Sequence, residues 1–116
     1  KNYWDPKFGL KTLDTAEGKI LWEIFMNKNE LQYGQEYETI VEGFLTTMAE
    51  LAPANVLISG HLQALDGFKV INHKHFRICT SHGASNEKLK KYLLLPTDQR
   101  FQSAHELVPF TRNLWN

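Results

Sequence analysis

An amphipathic helix is the clearest element of this sequence. Between positions 37 and 51, apolar residues recur at intervals of three and four, the spacing that places side chains on one face of a helix. The residues of this stripe are Tyr37, Ile40, Val41, Phe44, Leu45, Met48 and Leu51. Pro53 follows and stops the helix, because proline lacks the N–H that an interior helical position donates. A helix with one apolar stripe must bury it, so the rest of the chain has to supply a packing layer.

Short apolar runs on both sides of this helix predict strands. "FGLKTLD" and "KILWEIFM" flank the turn-forming "TAEG", which predicts an N-terminal β-hairpin. "NVLIS" is a short apolar run bounded by turn residues, a pattern typical of a buried central strand. "KKYLLLP" is similar and predicts a second short buried strand, which Pro96 closes.

The stretch "HKHFRICTSH" holds most of the histidines and the single cysteine, and its periodicity predicts a second helix. Asp66 suits the N-cap, because a short carboxylate there accepts the unpaired N–H groups of the first turn. The glycine of "SHGAS" suits the end. At about 100° per residue, His75, Cys79 and His82 fall on the apolar face. The solvent-facing side is assigned to Lys69, His73, Lys74, Arg77 and Ser81.

These elements predict an α/β fold in the order β-β-α-β-α-β-α. Thr97 or Asp98 would cap a last helix, which Pro109 ends. We therefore expect a single mixed β-sheet, in which an N-terminal hairpin joins strands connected by right-handed helical crossovers, with about three helices. The length suits one domain over 1–116, with a core over about 8–110.

The charge balance argues against some classes of partner. The chain carries 13 basic and 13 acidic residues, so its formal net charge is zero. Proteins bind nucleic acids and anionic membranes through clustered Lys and Arg. Because this chain has no excess of positive charge, neither is predicted as a partner. No apolar stretch approaches the roughly 20 residues of a membrane span. One cysteine cannot form an internal disulfide, which favours a cytoplasmic location.

The histidines and the cysteine could bind a metal ion, line a ligand cleft, take part in catalysis or have only a structural role. His75, Cys79 and His82 stand at i, i+4 and i+7 of the predicted helix, so neighbouring members could share a metal ion, but the outer two lie ~10 Å apart along the axis. We expect a structural role, with no metal and no cofactor, and keep a ligand cleft lined by these residues as the alternative. Cys79 lies in the middle of the predicted helix, away from the helix N-terminus that activates a thiol, so it is not expected to be a nucleophile. "SGH", with Ser59 and His61, suggests a hydrolase fragment, but no nucleophile elbow surrounds it.

The element order resembles the STAS family, the sulfate-transporter and anti-sigma-factor-antagonist domain, in its stand-alone bacterial form. The resemblance covers most of the chain and rests on "NVLISG", the helix after it, "KKYLLLP" and a closing helix. It implies that a kinase partner would phosphorylate a serine or threonine that follows an aspartate at a helix start. Asp66 matches that aspartate, but Gly67 stands where the phosphoacceptor would be, and Ser59 replaces the first acidic residue.

The resemblance implies a regulatory module that binds a protein partner and is not an enzyme. The loop "SGHLQALDG" is the expected partner surface, with the candidate residues Ser59, Gly60, His61, Asp66 and Gly67. The alternative from another class is a sensor of a small molecule or metal, whose cleft is lined by His75, Cys79 and His82. A homodimer is left open.

Overall fold

The computed structural model describes residues 15–27, 29–50, 53–80, 84 and 86–115. The first strand of the predicted N-terminal hairpin and His82 lie outside these ranges. The described chain is a mixed α/β structure with one sheet of three strands and one of two. In these ranges, none of the helices combines the length and the apolar character needed to cross a membrane.

The N-terminal segment is helical. Helix α1, Ala16–Leu21, begins after Thr15, whose side chain accepts a hydrogen bond from the N–H of Gly18 at 3.0 Å. It continues as a π-helical segment, Trp22–Asn27. The strand predicted for "KILWEIFM" is therefore wrong. A continuous apolar run fits a buried helix as well as a strand, and the capping threonine before it was the signal that distinguished them.

Two further helices follow. Helix α2, Glu30–Tyr33, begins at Asn29, whose side-chain oxygen accepts the N–H of Leu31 at 3.0 Å, and it ends at Gly34, where φ is +56°. Helix α3, Glu36–Met48, is the predicted amphipathic helix, which is confirmed. Its buried face consists of Tyr37, Val41 and Leu45.

The larger sheet has three short strands. These are β1 (Leu57–Ser59), β2 (Phe68–Asn72) and β3 (His75–Ile78). Strand β3 lies in the middle, parallel to β1 and antiparallel to β2. The strand predicted for "NVLIS" is confirmed, but its central position is wrong. Strand β1 lies at the edge of the sheet, and Ile58 is 42% exposed.

The helix predicted for the histidine stretch is wrong, because this segment is the β2–β3 hairpin. Asn72 makes the turn, as its side-chain oxygen accepts the N–H of Lys74 at 2.8 Å. Such side-chain turns are a common use of asparagine. Val70 and Ile71 are β-branched and pack well on a pleated sheet. The apolar residues of the two strands, with the turn between them, happen to recur at a spacing that also fits one face of a helix.

The C-terminal part forms the second sheet. A 3₁₀ turn, Glu87–Leu89, leads into β4 (Lys91–Leu93), which pairs antiparallel with β5 (Thr111–Asn113). The strand predicted for "KKYLLLP" is confirmed in position but not in burial. Tyr92 is 38% exposed and Leu94 just after it is 60% exposed.

The last predicted helix exists as a short 3₁₀ helix, Ala104–Phe110. Its cap is Ser103, not Thr97 or Asp98 as predicted. The N–H of Ser103 donates to the Glu106 carboxylate at 2.7 Å, and the Ser103 hydroxyl accepts the N–H of His105 at 3.2 Å. This reciprocal pattern is the capping box, and its Ser-x-x-Glu spacing is legible in the sequence. Pro109 lies inside this helix and does not end it, contrary to the prediction.

The larger sheet separates two apolar clusters. On one face, α3 and the π-helical segment pack over Leu57 and Ile71. On the other face, Phe76 packs against Ala104 and Leu107 of the 3₁₀ helix. The α/β class is thus confirmed. The predicted single sheet with helical crossovers is wrong, because β2 and β3 are joined by a tight turn and β4 and β5 form a sheet of their own.

Candidate functional site

A cleft of about 540 Å³ opens between the 60–67 loop and the start of α2. The loop is the segment that the sequence predicted as the partner surface. Strand β3 and helix α2 supply the floor and the facing wall. The cleft is lined by Asn29, Glu30, Leu31, Leu62, Gln63, Ala64, Leu65, Asp66, Phe68, Lys69 and Arg77.

A buried ion pair lies at the floor of this cleft. Two guanidinium nitrogens of Arg77 each donate to one carboxylate oxygen of Glu30 at 2.8 Å, and Lys69 Nζ lies 3.5 Å from the same carboxylate. Burial alone would raise the pKa of Glu30, but the hydrogen bonds from Arg77 and from the backbone, with the charges of Arg77 and Lys69, hold that pKa below its usual range. Only 3% of the Arg77 side chain is exposed, against 15% for Glu30. Arg77 was predicted to face solvent, which is wrong.

Two exposed leucines lie on the rim of the cleft. Leu31 is 86% exposed and Leu65 is 55% exposed, although both are large aliphatic side chains. Asp66 and Lys69 are exposed beside them with opposite charges, and the Glu30–Arg77 pair is internally neutral. The site thus offers apolar contact area with no excess of charge, which suits a partner's apolar side chain better than a phosphate or a nucleic acid.

The predicted partner-binding residues fall into two groups. His61 and Asp66 are exposed, while Ser59 and Gly60 are half-buried. His61 has a φ of +69°, unusual for a residue other than glycine, and its ring centroid lies 4.7 Å from that of Trp22. Gly60, His61 and Asp66 belong to the 60–67 loop and Ser59 precedes it, but of these four residues only Asp66 lines the cleft.

Gly67 is buried and has a structural reason to be glycine. Its φ is +85°, and a Cβ atom there would overlap the carbonyl oxygen of Leu89 and the side chain of Lys91. The carbonyl of Gly67 accepts the N–H of Cys79 at 2.7 Å, and the carbonyl of Cys79 accepts the N–H of Lys91 at 3.0 Å. Gly67 therefore lets the loop, β3 and β4 meet at one point.

Ser59 pairs with His75, not with His61. Ser59 Oγ and His75 Nε2 lie 2.6 Å apart, a distance that a nucleophile and its base could share. His75 is fully buried, however, and its Nδ1 has no hydrogen-bond partner among the described residues. Burial first, and then the charge of Arg77, lower the pKa of His75 to about 4, with Glu30 opposing them. Because His75 is a weak base, and because no described carboxylate accepts a hydrogen bond from its Nδ1, it is suited to a structural hydrogen bond with Ser59.

Tyr37 completes this buried polar group. Its ring centroid lies 5.5 Å from that of His75, and its hydroxyl is buried without a hydrogen-bond partner among the described residues. Burial raises the pKa of Tyr37, and the Glu30 carboxylate raises it further. The helix-facing side of the sheet therefore carries a line of buried polar side chains behind the cleft.

The predicted cleft between His75, Cys79 and His82 depended on their spacing along a helix, but this segment forms strand β3 and the residues after it. His75 and Cys79 are four residues apart along an extended chain, which separates them by about 13 Å at ~3.3 Å per residue. Cys79 is 5% exposed and packs with Ala64, Ala84 and Leu89, away from His75. A ligand cleft lined by all three residues stays a prediction, because His82 lies outside the described residues.

We expect His75 to make stability depend on pH. The ordinary pKa near 6.5 falls to about 4 on folding, so the unfolded state binds the proton more readily. The stabilisation is complete above pH 6.5 and is lost as the pH falls toward 4. At ~1.4 kcal/mol per pKa unit, the loss is on the order of 3 kcal/mol.

Urea unfolding at several values between about pH 4 and pH 7.5 measures this loss. His75→Gln should flatten the pH dependence, and His61→Gln, at an exposed histidine, should leave it as in the natural sequence. An equally steep profile in His75→Gln would contradict the assignment.

Sequence reasoning missed Glu30 and Arg77. The helical interpretation put Arg77 on the surface, whereas a strand interpretation would have placed His75, Arg77 and Cys79 on one face by simple alternation. The signal for Glu30 was local, since Asn29 before it is a good helix cap. Comparisons with models of protein families, with curated proteins and with solved structures find no match to this chain.

Proposed function

We propose that this chain is a non-catalytic module that binds a segment of a protein partner in the cleft beside the 60–67 loop. The observation that carries the proposal is the pair of exposed leucines, Leu31 and Leu65, on the rim of that cleft. Large aliphatic groups on a concave surface are typical of interaction sites. The partner segment would place one or two large apolar side chains between these leucines.

The charges of the cleft support a peptide of low net charge. Lys69 and Asp66 offset each other at the rim, and the two terminal nitrogens of Arg77 already donate to Glu30, while its buried Nε has no partner among the described residues. An incoming carboxylate or phosphate would have to compete with Glu30 for Arg77. Contact with the leucines would therefore supply most of the affinity, and the opposite charges of Asp66 and Lys69 would orient the segment.

A regulatory role without phosphorylation is consistent with Gly67. This position has no hydroxyl group, and the buried backbone contact with Leu89 leaves no room for a side chain. Membership of the STAS family, which was inferred from an element order that differs from the one observed, stays a prediction. A non-catalytic role is supported by the weak basicity of His75 beside Ser59.

Charged substitutions at the rim test the proposal. The natural chain should capture a partner protein from native lysate, and Leu31→Asp and Leu65→Asp should each fail to capture it, since each leucine buries apolar area on binding. A buried leucine contributes ~1.5–3 kcal/mol, which is about tenfold or more in affinity. The measurement is calorimetric titration of the purified captured partner against each variant.

Leu94→Asp is the matched control, because Leu94 is also exposed, at 60%, but lies on the second sheet. It should bind the partner as the natural chain does. A partner that binds Leu31→Asp and Leu65→Asp with unchanged affinity would exclude the cleft as the binding surface.

A further inference from the structure

Three metal-ligating side chains converge where α3 meets the β2–β3 turn, and none of them lines the cleft described above. They are Glu38 and Glu42 of α3 and His73 of the β2–β3 turn. One donor atom from each lies within 4.8 Å of the donor atoms of the other two. Nδ1 of His73 contacts Oε1 of Glu38, and Nε2 lies 3.2 Å from Oε1 of Glu42.

The backbone places these side chains together. Glu38 and Glu42 are one helical turn apart, so they share a face of α3. The turn that carries His73 is held from two sides. The carbonyl of His73 accepts the N–H of Ala104 at 2.7 Å, and the Asn72 side chain accepts the N–H of Lys74 at 2.8 Å. These hydrogen bonds fix the backbone of the turn from which the His73 side chain projects.

The electrostatics of the group favour a cation. Two carboxylates at i and i+4 of one helix repel each other, and a cation bound between them would relieve that repulsion. The side chains are 46% exposed for His73, 41% for Glu38 and 47% for Glu42. An ion can therefore enter from solvent.

We propose that Glu38, Glu42 and His73 bind a divalent transition-metal ion of the zinc class. One imidazole nitrogen with carboxylate oxygens is a donor set that zinc accepts. Three protein donors leave a position for water, as in open zinc sites. A bound ion would join α3 to the β2–β3 turn, and so hold the helical layer against the sheet. This site is independent of the cleft and of partner binding.

Calorimetric titration of tag-free protein with zinc chloride, in a buffer that does not chelate zinc, tests the site. We expect about one equivalent of zinc per chain and a higher melting temperature with zinc. His73→Gln and Glu42→Gln should each weaken binding by at least about tenfold. The controls are Glu36→Gln on the same helix and His105→Gln, an exposed histidine elsewhere, which should bind zinc as the natural chain does.

Melting curves without zinc verify that each variant folds, so that weaker binding cannot be confused with unfolding. Zinc binding that is unchanged in both His73→Gln and Glu42→Gln would place the ion elsewhere and overturn the proposal. A natural chain that takes up no zinc would also overturn it.

Discussion

Gly67→Ala is expected to destabilise the protein by more than about 4 kcal/mol, because two penalties add. A left-handed backbone costs an alanine ~1–2 kcal/mol, and φ at this position is +85°. The added methyl group would also overlap the carbonyl oxygen of Leu89, a backbone atom that cannot turn away as a side chain can. Relief of the overlap requires the loop to separate from β4. Urea unfolding of the purified variant measures the change in the free energy of unfolding.

Alanine substitutions at two other glycines distinguish the backbone cost from the steric cost. Gly34 has a φ of +56° and a ψ of −131°, a conformation that L-residues rarely adopt, and no described atom lies within 4 Å of an added Cβ, so Gly34→Ala should cost only the backbone term, ~1–3 kcal/mol. Gly43 lies inside α3, also in open space, and Gly43→Ala should stabilise by ~0.5–1 kcal/mol. If Gly67→Ala costs no more than Gly34→Ala, the close approach of Leu89 has no energetic weight.

Glu30→Gln is expected to lower the free energy of unfolding by ~3–5 kcal/mol, as is usual when one partner of a buried ion pair is removed. The neutral amide leaves the Arg77 guanidinium without a counter-charge, and that side chain is only 3% exposed. Lys69 would then be a second positive charge beside it, with no carboxylate between them. Chemical denaturation at neutral pH measures the loss.

The double variant Glu30→Leu with Arg77→Met is the informative companion. Replacing both charges by apolar groups removes the uncompensated guanidinium, so it should recover most of the stability that Glu30→Gln loses. Lys69→Met is the control for the exposed member of the group, and it should change stability by less than ~1 kcal/mol. A double variant as unstable as Glu30→Gln would show that the pair contributes more than charge compensation.

The elements that the sequence predicted correctly are those in which the local pattern agrees with the tertiary contacts. Helix α3 was predicted because its stripe faces a single apolar layer. Strand β1 and the 60–67 loop were predicted because turn residues bound a short apolar run. In these segments the nearest neighbours in sequence carry the information that fixes the conformation.

The histidine hairpin was assigned wrongly because its residues fit two periodicities at once. His75, Phe76, Arg77 and Ile78 alternate polar and apolar side chains, as a strand does, but the longer stretch also fits a helical stripe, and only contacts with distant residues distinguish the two. The ion pair at the cleft was equally inaccessible to pattern analysis, since Glu30 and Arg77 are 47 positions apart. The Glu38, Glu42 and His73 group depends on the same hairpin, and the helical interpretation left His73 at an unrelated surface.

The two-sided burial of β3 also determines how strictly its register is specified. Side chains alternate along a strand, so a slip by one residue transfers every side chain to the opposite face. Such a slip would place the Arg77 guanidinium beside Leu107 and turn the Phe76 ring toward Glu30. An unpaired charge in an apolar layer costs several kcal/mol, so alternative pairings of this short sheet are disfavoured from both faces at once. A strand of four residues, too short to fix its alignment by backbone hydrogen bonds alone, is thereby aligned by the chemical difference between its two faces.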